Sequence, residues 1–211
     1  DLAAGEYLLV QGHNPAGYPT DIYNGSDGTG VILKEILKVS AGYGGGTTVP
    51  LQWQADQYHT ANLPIRRVTT TQNVTIENIE MRSVGGAVAV GIYVQYGMSI
   101  VLKRIRGQGF SRGLYNLEAC RDVEVDDIYS DGENNTIGFH DSVINFTIDK
   151  VQSNPRGLRE HALGYPRGLL TFVNRCTSFT VSSCSLVKGP QGIRIWGCHD
   201  WTIENVVIND M

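Results

Sequence analysis

The sequence predicts an all-β solenoid, one domain in which short strands stack turn upon turn. Three observations carry that prediction. A six-residue pattern recurs along the chain, the residues flanking it form matched columns, and the composition suits a turn-rich β protein. The 211 residues include 25 glycines, and only 18% are charged. The pattern is apolar-x-apolar, two polar residues, then apolar again. It first stands at Val74, Thr75, Ile76, Glu77, Asn78 and Ile79, and returns at 100–105, 123–128, 146–151, 179–184 and 201–206. Spacings between first positions are 26, 23, 23, 33 and 22 residues. Self-similarity of that size marks a solenoid. Each copy reads as a short strand, a polar bend and a second short strand, with apolar residues alternating inside each strand.

Taken in order, residues 1–62 form the lead-in and residues 63–211 the stacked turns. Tyr7 to Val10 reads as a strand after the turn at Ala3, Ala4 and Gly5. Residues 11–30 read as a long loop, bending at Asn14-Pro15 and at Ser26, Asp27 and Gly28. Val31 to Val39 has apolar spacing that fits a helix almost as well as a strand. Its β-branched content and the glycine-rich turn at Gly42 to Gly46 favour a strand, with Thr47 to Trp53 as its partner. Residues 54–62 then connect into a first turn at Pro64 to Val68.

Turns predict columns, because equivalent residues of successive turns lie about 4.8 Å apart. The position before each copy holds Asn73, Ser99, Asp122, Asn145, Ser178 and Asp200, small polar residues suited to bends. Three positions before the copies stand Gly97, Cys120, Val143, Cys176 and Cys198, and the sixth position adds Cys184 to a column of Ile and Val. All four cysteines therefore read as inward small hydrophobes. Cys176 and Cys198, on adjacent turns, are within reach of a bridge that nothing in the sequence requires. No Cys/His metal spacing occurs. The connection after Val151 is the longest, and residues 153–167 place Arg156, Arg159, Glu160, His161, Tyr165 and Arg167 in it. Trp201 to Ile208 reads as a complete rung, and the sequence stops three residues later with no amphipathic cap, so further chain or another subunit is expected to cover that end. Asp1 in place of Met reads as a processed or truncated start.

A leucine-rich repeat has a comparable period, but no LxxLxLxxN string recurs and no helical pattern fills the second half of each repeat. Strand following strand in this way resembles the right-handed parallel β-helix of the pectin-lyase-like superfamily, which includes bacteriophage tailspikes. The likeness covers about 63–211 and extends more loosely to Tyr7–Val10 and 30–36. It implies a right-handed single-stranded parallel β-helix of about six rungs. It also implies a virion tail or secreted setting, a homotrimer, other tail proteins as partners, and a bacterial surface polysaccharide as ligand. The superfamily houses hydrolases, lyases and inert scaffolds alike, so chemistry must be argued from side chains.

The net charge of −4 opposes a nucleic-acid partner, which calls for a basic face. No run approaches the roughly 18 apolar residues of a membrane span. Counting back from each copy, two columns point outward. One reads Gln95, Glu118, Asp141, Asn174 and Trp196, the other Tyr93, Asn116, Phe139, Phe172 and Arg194. On that count Glu118 and Asp141 stand on successive turns, close enough for a retaining glycosidase pair of nucleophile and acid/base. Like charges at such distance drive one pKa up, so one pair serves both roles. Tyr93, Phe139 and Trp196 would offer flat faces to sugar rings, while Gln95, Asn116, Asn174, Arg159, His161 and Arg194 would bind hydroxyls or uronate carboxylates. A non-catalytic solenoid is the rival, predicting that Glu118 and Asp141 point apart or pair with neighbouring cations. A lyase would instead draw its base from Arg159, His161, Arg167, Arg175 or Arg194. His140 reads as a core or turn histidine. No cofactor is implied. Calcium at Asp126, Asp127, Asp131 and Glu133 would rest on spacing alone.

Overall fold

A computed structural model describes residues 2–13, 32–53, 65–84, 90–110, 113–131, 136–140, 142–154, 168–173, 175–187 and 191–209. An N-terminal group of strands comprises β1 (Tyr7–His13), β2 (Ile32–Lys38) and β3 (Ile65–Arg67). The stacked turns follow as β4 (Thr71–Arg82), β5 (Val90–Gln95), β6 (Gly97–Gln108), β7 (Gly113–Glu118), β8 (Arg121–Ser130) and β9 (Ile137–His140). They continue as β10 (Ile144–Ser153), β11 (Gly168–Val173), β12 (Thr177–Ser182), β13 (Ser185–Val187), β14 (Gln191–Trp196), β15 (His199–Glu204) and β16 (Val207–Asn209). All the described regular structure is β.

One sheet stacks β4, β6, β8, β10, β12 and β15 in parallel, with β13 and β16 as continuations of the last two turns. The other stacks β5, β7, β9, β11 and β14, also in parallel. Consecutive strands alternate between the sheets, so the chain winds as a parallel β-helix. The register matches the recurring pattern position for position: Val74 pairs with Ile100, Ile100 with Val123, Phe146 with Val123 and with Phe179, and Phe179 with Trp201. Its first, third and sixth positions turn inward. Ile100, Leu102, Ile105, Val123, Val125, Ile128, Phe146, Ile148, Val151 and Val181 are all buried. Phe139, Phe146, Phe172 and Phe179 pack together in this core, Phe146 stacking on Phe179 with ring centroids 4.5 Å apart.

The corners are made by left-handed backbone. The polar column before each repeat has φ between 53° and 56° at Asn73, Ser99, Asp122, Asn145, Ser178 and Asp200. A second column, the fifth position of the repeat, does the same at Asn78, Arg104, Asp127, Lys150, Ser183 and Asn205. A third, four residues before the repeat, comprises Tyr96, Ala119, Ser142, Arg175 and Gly197. Asn and Asp tolerate this conformation because their short side chains bond locally, and here they also bond between turns. Asn145 Nδ2 donates to Asp122 at 2.5 Å and Ser178 Oγ to Asp200 at 2.8 Å.

The N-terminal strands depart from expectation. The partner of β2 is β1, antiparallel from Tyr7–Lys38 to His13–Ile32. Residues 47–53 form no strand, since the polar, glycine-rich approach and Pro50 leave only a bridge between Val39 and Leu51. The segment expected as the first turn, 64–68, supplies β3, which pairs antiparallel with β1 and not with the stack. Alternation explains how this small sheet docks. Tyr7, Leu9 and Ile36 face the solenoid, where Leu9 and Ile36 pack with Met98 at a corner and Tyr7 packs alongside Trp53, Val68 and Tyr96. Lys34, two residues before Ile36 on the same face, is thereby aimed at the β5–β14 sheet.

Candidate functional site

The outward face of the β5–β14 sheet brings together most of the described residues expected to act on a ligand, in a register that differs by one residue from the count back. Tyr93 pairs with Asn116 and Gln95 with Glu118, as expected. On the next strand, however, Asn116 pairs with Gly138 and Glu118 with His140. The column continues through Thr171 to Arg194, and Val173 pairs with Trp196. The reason lies in the corners. Four residues separate Glu118 from the next repeat, but five separate His140 and Val173 from theirs. The one extra residue in each of these corners shifts the strand before it by one. A shift of one sends every side chain to the other face. Phe139 is therefore no sugar platform: it is fully buried among Phe146 and Phe172. Phe172 likewise points inward. Asp141, Asn174, Arg159 and His161 lie outside the described residues.

Glu118 is the centre of the arrangement. One carboxylate oxygen accepts from the Lys34 ammonium as an ion pair, and the other accepts from the Tyr93 hydroxyl at 2.5 Å. The carboxyl group is largely covered, its side chain 13% exposed against 18% for Lys34. Burial works to raise its pKa, but the hydrogen bonds from Lys34 and Tyr93 and the Lys34 charge outweigh it and hold the group below its ordinary value. Glu118 is thus an ionised acceptor at neutral pH, not a proton donor. Tyr93 stays 53% exposed beside it, and Gln95, also hydrogen-bonded to Glu118, is half-buried.

At the far end of the face, about 14 Å along three strand spacings from Glu118, the Arg194 guanidinium lies 5.1 Å from the Trp196 ring centroid. Stacking of this kind orients the guanidinium over the indole face. Between the two ends, Thr171 and Val173 are fully buried, so the accessible groups fall into two clusters. Arg175 occupies a corner and is buried. Two participants escaped sequence reading. Lys34 lies 84 residues from Glu118, and only the docking of β2 joins them. His140 was placed inward by the same one-residue slip that placed Phe139 outward.

The opposite face, formed by the recurring strands, is an ion-pair ladder. Lys103 pairs with Glu124, Arg104 with Glu77, Arg106 with Asp127, and Lys150 with Asp126 and Asp149. Asp126 and Asp127, considered for calcium, are engaged with those cations. Among the described residues no cluster of three His, Cys, Asp or Glu side chains could hold a metal. No described helix is long and apolar enough to cross a membrane.

No protein-family description matches this sequence, and no curated protein matches it significantly. Solved structures do match. The tailspike protein gp49 of Pseudomonas phage LKA1 aligns over 99% of this chain at 14% identity with a TM-score of 0.51. The common feature is the parallel β-helix. The alignment spans 42% of the tailspike's length. A "putative glycosyl hydrolase" from Parabacteroides merdae aligns over 66% of this chain and 76% of its own, at 16% identity and a TM-score of 0.45.

Proposed function

We propose that this chain is the β-helical part of a tailspike-like protein that recognises a bacterial surface polysaccharide through the two accessible ends of the β5–β14 face, around Glu118 and around Arg194 and Trp196. The observation that carries the reading is the pairing on one face of a fixed carboxylate cluster, Glu118 with Tyr93 and Gln95, and a stacked Arg194–Trp196 platform. Sugars offer hydroxyls to the first and an apolar ring face or an acidic group to the second. The fold shared with a phage tailspike supports a virion tail or secreted setting. Trimeric assembly and contacts with other tail proteins are proposed with it.

Hydrolysis of the bound chain is the second reading, favoured by Glu118 being held ionised. In that state it suits a nucleophile or base, and Asp141, the next residue in sequence after β9, would be the proton donor. Against a catalytic Glu118 stands its ion pair with Lys34, the arrangement expected of a recognition module. Assays of reducing ends and of absorbance near 235 nm on a panel of capsules and O-antigens separate these. Binding without product supports recognition alone. Reducing ends that vanish in Glu118→Gln and Asp141→Asn support hydrolysis, and an ultraviolet product supports a lyase. No binding to any glycan in the panel would overturn the proposal.

A further inference from the structure

The four cysteines have different neighbours along the solenoid axis. Cys120 stands between Gly97 and Val143, and Cys184 between Val151 and Val206. Cys176 and Cys198 stand on consecutive turns of one column. The residues that follow them, Thr177 and His199, are registered partners, and the His199 N–H donates to the Cys176 carbonyl at 3.3 Å. Their sulfurs also point the same way. Cys176 Sγ contacts the carbonyls of Phe139 and Val173 at 3.5 and 3.4 Å. Cys198 Sγ contacts those of Phe172 and Trp196 at 3.3 and 3.4 Å. Phe139 and Phe172 are registered partners, as are Val173 and Trp196, so one sulfur sits a single turn above the other.

We propose that Cys176 and Cys198 form an inter-turn disulfide that ties the β15 turn to the β12 turn when a low-molecular-weight disulfide is the oxidant. Neighbouring parallel strands lie about 4.8 Å apart, inside the roughly 4.4–6.8 Å range of Cα separations that disulfides span. Cys198 is partly exposed and Cys176 fully buried, which orders the steps. The Cys198 thiolate attacks the small disulfide, forming a mixed disulfide and releasing one thiol. The Cys176 thiolate then displaces the second thiol, closing the Cys176–Cys198 bond. Two cysteine thiols are oxidised, two protons leave, and the small disulfide is reduced to two thiols. Hydrogen bonding from Cys176 lowers the Cys198 pKa, whereas burial pushes Cys184 up to about 11 and Cys120 up to about 12. Cys198 is therefore also the cysteine favoured as the attacking thiolate over Cys120 and Cys184.

The folded chain, incubated with mixtures of oxidised and reduced glutathione and then denatured with a thiol-blocking reagent, supplies the test. The expected result is loss of two of the four thiols, a peptide map joining Cys176 to Cys198, and a melting temperature raised until reductant is added. Cys120→Ser and Cys184→Ser keep this response and Cys198→Ser abolishes it. The peptide map of the unaltered chain stands whatever the variants do to folding. Four intact thiols at the most oxidising poise, a glutathione adduct on Cys198 that never closes, or linkage through Cys120 would each overturn the proposal.

Discussion

At the scale of single residues, the corners decide the fold. Three columns of left-handed residues bend each turn, and most are Asn, Asp or Ser. The first of these columns is plain in the sequence, because the same kinds of side chain recur before every repeat. The third is not, since Tyr96, Ala119, Ser142, Arg175 and Gly197 share a backbone conformation and no chemistry. Gly197 tests it. Its φ is 64°, and a Cβ there would meet nothing nearer than 4.0 Å, so Gly197→Ala introduces strain without a clash. We expect a loss of about 1 kcal/mol, read as a lower denaturant midpoint. By contrast, a Cβ at the buried Gly107 would stand 2.3 Å from Leu114 Cδ1. Gly107→Ala is expected to be the more damaging of the two, through overpacking of about 1–3 kcal/mol.

At the scale of strands, register separates core from surface. The recurring strands were legible because their alternation is repeated six times with one spacing inside each copy. The β5–β14 strands were legible only as far as the corners after them keep one length. Where a corner gains a residue, apolar Phe139 and polar His140 exchange faces, and a four-residue strand such as β9 holds too little alternation to reveal the slip. The consequence is measurable. Phe139→Ala should destabilise the protein by about 3–5 kcal/mol, seen in chemical denaturation. Trp196→Ala should leave the melt nearly unchanged while weakening glycan binding. A reversal of these effects would restore Phe139 to the surface. Glu118 was found by counting because its corner has the commoner length, whereas Lys34 could not be found from its own segment at all.

At the scale of the molecule, the small antiparallel sheet is fastened to the solenoid by an apolar contact around Met98 and by the Lys34–Glu118 ion pair. The ion pair makes that docking sensitive to acid. Glu118 titrates below its ordinary value of 4.5, so its contribution to stability is fully present above that value and is lost as pH falls through the lower, folded one. Hydrogen exchange of β2 amides should therefore accelerate in acid, and Glu118→Gln should show the faster exchange already at neutral pH with a flatter acid response. Unchanged exchange in the variant would assign the docking to Met98 and its neighbours alone. The corners carry a further consequence for how such a surface diversifies. A single codon inserted into or deleted from the corner after β7 or β14 re-deals which side chains of that strand face outward, while the recurring strands and their columns stay in phase. In the function proposed above, glycan preference would change by insertion or deletion of one codon, without passing through a series of point substitutions.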